Sequence, residues 1–283
     1  MRCAICDYFW RMQWICHNGL FVPMEQPIFD ASNRGFRYGD GLFETARFYN
    51  GNLLLASYHF DRLFSGLQLL HMMPYFTAAQ LTNFIEELCK KNGCSSSARV
   101  RIGAYRVTEN NAAFVIEATA LAIEKTQWNE SGWRVLVYPF ARKSCDAFAN
   151  LKSANYLPYV MAGLYAKEQD ADECLVLNMH NRICDGSKTN LFLMAGGDVY
   201  TPALSEGCVA GVMRRALINF LKQSGYVVHQ KEVTEKDVLQ AETVFVTNAI
   251  EGMRWVRQFG ERIYEYGVLK KLYNDLFATM HHQ

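Results

Sequence analysis

Apolar and polar residues alternate in short runs around two Asn-Gly pairs near the start of the chain, Asn18-Gly19 and Asn50-Gly51. Asn-Gly fits the two left-handed positions of a tight hairpin, so an antiparallel sheet is predicted to open the molecule. The period then changes. Phe60, Leu63, Leu67 and Leu70 recur at helical spacing between Ser57 and Met72, and Pro74 stops the run. A second helix is predicted from the capping box Thr77 with Gln80. It continues through an apolar face of Leu81, Phe84, Ile85 and Leu88 to a close at Lys90, Lys91 and Gly93. Strands are expected from Arg99 to Tyr105 and from Ala113 to Ala120.

Residues 123–133 are polar and carry Asn129, Ser131 and Gly132, the composition of a linker. Beyond it the pattern predicts a strand over WRVLVYPF, a helix after Lys152, a strand over ECLVLN, and a hairpin around Asp185-Gly186 into TNLFLM. A helix is expected from Val212 to Ser224, ended by Gly225. The strand TVFVT and a C-terminal helix from about Val268 follow. Strands mixed with helices and many hairpins predict two α+β domains, about 12–122 and 134–283, and not a doubly wound parallel sheet.

Half the residues are hydrophobic and a fifth are charged, with a net charge of +1. That balance gives no global field toward nucleic acid or a membrane surface. No run approaches the roughly 18 apolar residues of a membrane span. Asp7 and Arg11 interrupt residues 1–16, so no signal peptide is expected, and residues 1–11 are expected to be a disordered extension. Nine cysteines, scattered without a framework, point to free thiols in a reducing, cytoplasmic compartment. Cys3 and Cys6 form a CxxC, but no second ligand pair stands at zinc spacing, so no metal is expected.

Three separated segments carry candidate chemistry. The first is Tyr38-Gly39-Asp40-Gly41-Leu42-Phe43-Glu44-Thr45, followed by His59 and Arg62. Three residues apart on a helix, His59 and Arg62 share a face, and an arginine there can grip a phosphate bidentately. The pair equally fits a solvated surface. The second is Lys152-Ser153-Ala154-Asn155-Tyr156, at a strand-to-helix junction. A lysine desolvated there becomes a nucleophile, although one at a helix start is usually a surface charge. The third joins Asp185-Gly186-Ser187-Lys188-Thr189-Asn190, Gly211-Val212-Met213-Arg214 and Thr247-Asn248-Ala249-Ile250. A helix opening at Val212 offers N–H groups to a phosphate, and the loop after TVFVT can add more.

In this order, from about Trp14 to about Tyr273, these segments resemble the class IV aminotransferases, the fold-type IV pyridoxal 5′-phosphate enzymes. That family includes branched-chain and D-amino-acid aminotransferases and 4-amino-4-deoxychorismate lyases. The resemblance rests on the YGDGxFET box, the HxxRL helix, the Lys-x-x-Asn segment, the xGSxxNxF stretch and the TP…GVxR block. It implies an α+β fold like that of D-amino-acid aminotransferase, with a mainly antiparallel N-terminal domain and a barrel-like C-terminal domain. It implies that Lys152 carries pyridoxal 5′-phosphate and that Arg62 binds its phosphate. Further phosphate contacts would come from the backbone at Val212, Met213, Asn248 and Ala249, and Tyr156 would bond the phenolic oxygen. It also implies a homodimer acting on small amino and oxo acids.

Where the family usually has Glu facing the pyridine nitrogen, this chain has Asp185, one methylene shorter. The carboxylate role is expected to survive, because a protonated ring is the electron sink. Asn155-Tyr156 resembles the aminotransferase branch, whereas Gly211-Val212-Met213-Arg214 and Thr247-Asn248-Ala249 resemble the lyase branch. Transamination of a branched-chain-like or D-amino acid is the first expectation. Lysis of aminodeoxychorismate to p-aminobenzoate and pyruvate is the second, and an inactive binding scaffold the third. For the substrate, Tyr38 and Arg106 are the expected contacts, with Arg101 and Arg37 as rival cations. Any one of Arg99, Arg101 and Arg106 also fits a plain strand-edge charge.

Overall fold

A computed structural model describes residues 13–280, so the expected extension and its Cys3–Cys6 pair lie outside the described residues. The chain divides into two compact units, Met1–Lys125 with Lys152–Asn155, and Thr126–Leu151 with Tyr156–Gln283.

The first unit begins with the hairpin β1 (Trp14–His17) and β2 (Leu20–Pro23). Asn18 and Gly19 between them both have positive φ, as the Asn-Gly pair requires. A short helix α1 (Arg34–Tyr38) leads into β3 (Gly41–Tyr49), which turns at Asn50-Gly51 into β4 (Asn52–Leu53). Then come α2 (Ala56–Leu69), β5 (Met73–Pro74), α3 (Ala78–Lys91), β6 (Ser97–Arg106) and β7 (Asn111–Ala120). The strands make one sheet in the order β2-β1-β7-β6-β3-β4, antiparallel throughout, with β5 added in parallel to β7. The Thr77 capping box forms as predicted, with Thr77 accepting from Gln80 N and Gln80 accepting from Thr77 N. Helix α2 lies against β3 and α3 against β7. Their faces bury Leu63, Leu67, Leu81, Ile85 and Leu88, each stabilising by about 1.5–3 kcal/mol. On the other sheet face Val22 of β2 and Met24 and Ile28 from the segment after it meet Ile15, Tyr105 and Val115.

Lys152–Asn155 joins this unit through backbone pairing with the start of β3. Phe43 N donates to Lys152 O at 2.9 Å, and Ala154 N donates to Gly41 O at 2.9 Å.

The second unit runs β8 (Trp133–Lys143), α4 (Leu157–Glu168), β9 (Glu173–Asn178), β10 (Ile183–Gly186), β11 (Asn190–Ala195), β12 (Asp198–Pro202) and α5 (Val212–Gln223). It ends with β13 (Val228–Lys231), α6 (Glu235–Gln240), β14 (Thr243–Asn248), β15 (Gly252–Phe259), β16 (Arg262–Ile263) and α7 (Leu269–Met280). Nine strands form one mixed sheet, β10-β9-β8-β15-β14-β11-β12-β13, with β16 on β15. Ile183 N donates to Val233 O at 2.8 Å, just beyond β13, which brings the two edges together and gives the barrel-like form.

Two expectations change here. Asp185 and Gly186 are not a hairpin turn. They lie within β10, opposite Val176 and Leu175 of β9, and β11 pairs with β12 and β14 instead. The chain turns earlier, between β9 and β10, and pairing with the preceding strand outweighs the turn preference of Asp-Gly. The polar stretch 123–133 is also not bare linker. Trp128 sits edge-on to Tyr266 and Tyr273, and Asn129 O accepts from the Trp255 indole.

Candidate active site

The YGDG box is a tight path. Gly39 ends α1 at φ 64°, and a Cβ on it would lie 2.7 Å from Asn155 Oδ1, so only glycine allows the approach. Next to it Asp40 accepts from Arg34 Nε at 2.7 Å and Arg106 Nε at 2.9 Å. Partial burial pushes the Asp40 carboxyl up, but the two guanidiniums outweigh it and hold it below the usual range. Arg106 spends its remaining donors on the carbonyls of Leu70 (2.7 Å), Glu109 (2.7 Å) and His71 (3.4 Å). It is a clamp joining the end of α2, β6 and the box. Tyr38 stands exposed with Arg34 over its ring at 5.3 Å.

Helix α2 and strand β3 meet in a buried ion cluster. Glu44, 1% exposed, accepts from Arg62 Nε at 2.7 Å and from Arg62 Nη2 at 2.5 Å, and lies 2.6 Å from His59 Nδ1. The expected shared face of His59 and Arg62 is therefore a face turned inward onto one carboxylate. Burial raises the Glu44 proton affinity, yet Arg62 and His59 overcome it and bring the carboxyl down to about 2. Glu44 stands in the YGDGxFET box, and its role was visible there only as a glutamate, not as the partner that orients Arg62.

Lys152 and Arg101 converge on one ring. The Lys152 ammonium is 4.5 Å from the centroid of Phe43, and the Arg101 guanidinium is 4.9 Å from it. Arg101 also pairs with Glu117 at 3.4 Å across β6 and β7. Arg101 lines a cavity of about 480 Å³ in the first unit, walled by Met24, Ile28, Phe29 and Tyr105 and by Ala154, two residues from the lysine. That volume suits a small molecule.

In the second unit Tyr156 and Tyr159 stack with centroids 4.5 Å apart, and Tyr156 OH donates to Ser187 O at 3.1 Å. Tyr159 OH donates to Asp185 Oδ2 at 2.6 Å. The structure thus brings Tyr156 and Asp185 together. The loop between them and β11 is organised by Glu173, which is fully buried. It accepts from Ser187 N and Oγ, Thr189 Oγ and Cys174 N. Burial pushes its carboxyl up, and the hydroxyl donors only partly oppose that.

Asn190 links this carboxylate region to the start of α5. Its amide donates to Asp185 Oδ1 at 2.9 Å and to Val209 O at 3.0 Å. A Cβ at Gly211 would strike Asn190 Oδ1, so glycine is required where the helix begins. Gly211 brings no side-chain cap, and Val212 and Met213 form the first turn. Asn190 pairs with Thr247 across β11 and β14, which sets the Asn248-Ala249 turn beside the same helix end. Asn248 Oδ1 accepts from Ile250 N and Glu251 N and fixes that turn. The Thr247 hydroxyl is buried and has no hydrogen-bond partner among the described residues. A buried orphan hydroxyl beside an uncapped helix N-terminus fits a phosphate group. The sequence names Thr247 within the third segment but gives the phosphate contacts to the backbone at Asn248 and Ala249, because nothing local marks the hydroxyl of a strand-end threonine.

The described residues contain no cluster of His, Cys, Asp and Glu able to hold a metal, and no helix long and apolar enough to cross a membrane. The profile of amino-transferase class IV matches residues 41–259. A D-alanine aminotransferase of Listeria monocytogenes is 26% identical over 243 residues, covering 82% of this chain and 82% of that protein. An aminodeoxychorismate lyase of Bacillus subtilis is 25% identical over 289 residues, covering 94% and 95%. The fold is that of a T.th. branched-chain amino acid aminotransferase solved with pyridoxamine 5′-phosphate, with a TM-score of 0.85 at 23% identity over 96% of this chain and 95% of that one. The chain belongs to the amino-transferase class IV family and is an enzyme whose cofactor is pyridoxal 5′-phosphate.

Proposed function

We propose that this enzyme moves an amino group between an amino acid, branched-chain-like or of D configuration, and a 2-oxo acid. The observation that carries the reading is the pairing of Lys152 and Arg101 on the Phe43 ring beside an apolar cavity. A nucleophilic amine, a cation for a substrate carboxylate and room for an apolar side chain are what such a substrate needs. Arg101 takes the carboxylate role that the sequence assigned to Arg106, because Arg106 is committed to Asp40 and three carbonyls.

Lys152 carries the cofactor, and Arg62, aimed by Glu44, takes its phosphate. The Thr247 hydroxyl and the backbone at Val212, Met213, Asn248 and Ala249 complete the phosphate contacts. Tyr156 faces the phenolic oxygen and Asp185 the ring nitrogen. When bound, pyridoxal 5′-phosphate supplies the electron sink for a substrate carbanion. The Lys152 amine, when free, would be the base that takes the substrate's α-proton and later returns one. The reading extends to a cytoplasmic homodimer acting on small molecules, in keeping with the free thiols of all the described cysteines.

The test is a panel of L- and D-amino acids with 2-oxoglutarate. Amine transfer is expected, with Lys152→Ala inactive. Arg101→Gln is expected to raise KM about tenfold or more, the loss of one charged hydrogen bond. A lyase reading draws on the Bacillus subtilis relative, which matches along most of the chain. Pyruvate released from aminodeoxychorismate without any oxo acid, and no transfer from the panel, would establish that reading instead.

A further inference from the structure

Asp185 is 1% exposed and already holds four donors. Oδ1 accepts from Asn190 Nδ2 at 2.9 Å. Oδ2 accepts from Tyr159 OH at 2.6 Å, Val209 N at 2.9 Å and Lys143 Nζ at 3.2 Å. The Lys143 side chain, at the end of β8, is 12% exposed, and its ammonium also lies 5.1 Å from the centre of the Tyr159 ring. The ammonium is thus held against this carboxylate by two contacts, in a place where water screens little.

The other titratable groups facing Asp185 come from every element around it. They are Tyr159 from α4, Cys184 from β10, Cys208 from the segment before α5, and Arg214 from α5. Burial pushes the phenol and both thiols up, so they stay neutral at ordinary pH. Arg214 remains charged but turns its guanidinium to Pro202 O and Gln230 Oε1, each at 2.9 Å. Among the described residues Lys143 is the cation in contact with Asp185. The pair is electrically neutral, whereas a lone buried carboxylate would carry a full negative charge.

We propose that Lys143 is a positioning residue that sets the charge on the cofactor ring. By neutralising Asp185 it lowers the proton occupancy of the pyridine nitrogen below what the carboxylate alone would hold. This rests on the ring-facing role proposed for Asp185. A carboxylate favours a protonated nitrogen beside it by opposite charge, and an ammonium at the same carboxylate removes most of that preference. The short Asp185 side chain leaves Oδ1, with a single donor, as the oxygen open to a further partner. The effect would tune how strongly the ring withdraws electrons, and so how stable a substrate carbanion becomes, without Lys143 touching the substrate.

The experiment is the ring-nitrogen resonance of the holoenzyme reconstituted with [15N]pyridoxal 5′-phosphate, near neutral pH. In Lys143→Met the resonance is expected to move toward the pyridinium position relative to wild type, and Lys143→Gln should do the same. Lys143→Arg, which keeps the charge, should stay near wild type. Asp185→Asn should move it toward the neutral-pyridine position, and Lys143→Met with Asp185→Asn should match Asp185→Asn alone. If Asp185→Asn shifts the resonance but neither neutral substitution at position 143 does, Lys143 plays no part and the inference is overturned. If Asp185→Asn leaves the resonance in place in both backgrounds, the ring-facing role of Asp185 is itself wrong, and the inference falls with it.

Discussion

Glu44 and Glu173 are both buried carboxylates, yet they are held in opposite ways. Glu44 meets charge, with Arg62 on both oxygens and His59 against one. Glu173 meets hydroxyl and backbone N–H donors from Ser187, Thr189 and Cys174, with no cation in contact among the described residues. In the first the carboxyl falls to about 2, and in the second burial wins and the carboxyl rises. Each suits its place. Around Glu44 the part to be fixed is a cation with reach, the guanidinium of Arg62. Around Glu173 it is a backbone loop that follows Asp185 and supplies the Ser187 carbonyl to Tyr156. Charge orients a long side chain, and a ring of neutral donors shapes a loop.

The largest expected effect comes from removing the charge that aims Arg62. Glu44→Gln removes the buried carboxylate that the part-buried Arg62 guanidinium and the buried His59 ring both meet, and should cost about 3–5 kcal/mol of unfolding free energy, read by chemical denaturation. The same variant should bind pyridoxal 5′-phosphate more weakly. A loss below about 1 kcal/mol would mean the cluster is no tighter than a surface ion pair.

Next is the pH dependence. The Glu44 carboxyl is lower in the folded chain than its ordinary 4.5, so its contribution is present above about 4.5 and is lost as pH falls toward about 2. The difference is about 3 kcal/mol by proton linkage. Unfolding measured along that range should show the loss in wild type and a flatter curve in Glu44→Gln. Identical slopes in the two would contradict the assignment.

Glu173→Gln is expected to have the smallest effect, about 1 kcal/mol. A neutral amide keeps one carbonyl for Ser187, and the Thr189 hydroxyl can turn to accept. The sign also reverses. A carboxyl raised in the folded state contributes stability at low pH that is lost as pH rises through its folded value. Glu173→Gln should therefore lose less relative to wild type at alkaline pH than at acid pH, and the opposite trend would break the contrast with Glu44.

Local chemistry made much of this fold readable before the structure. The Thr77 capping box, the two Asn-Gly hairpins and the glycine after α5 each act within a few residues, and each formed where expected. What depends on distant partners was not readable in the same way. Asp185-Gly186 is a nearer case, with the composition of a turn, but it becomes strand because the chain turns before it and the preceding strand β9 pairs with it. Arg106 could not be recognised as a clamp, since its acceptors Asp40, Leu70 and His71 come from separate parts of the chain. Lys143 and Tyr159 reach Asp185 from 42 and 26 residues away, on a strand and a helix that carry no motif. The glycine, lysine and arginine positions of the site were visible as motifs. The hydrogen-bond partners that set their charge and direction, Glu44 and Glu173 among them, emerged only with the packing.

The most direct measurement reduces the purified, reconstituted enzyme with borohydride and locates the modification by peptide mass spectrometry. A pyridoxyl phosphate adduct on Lys152, absent from Lys152→Ala, is the predicted result. An adduct on another lysine, or none at all, would contradict the account.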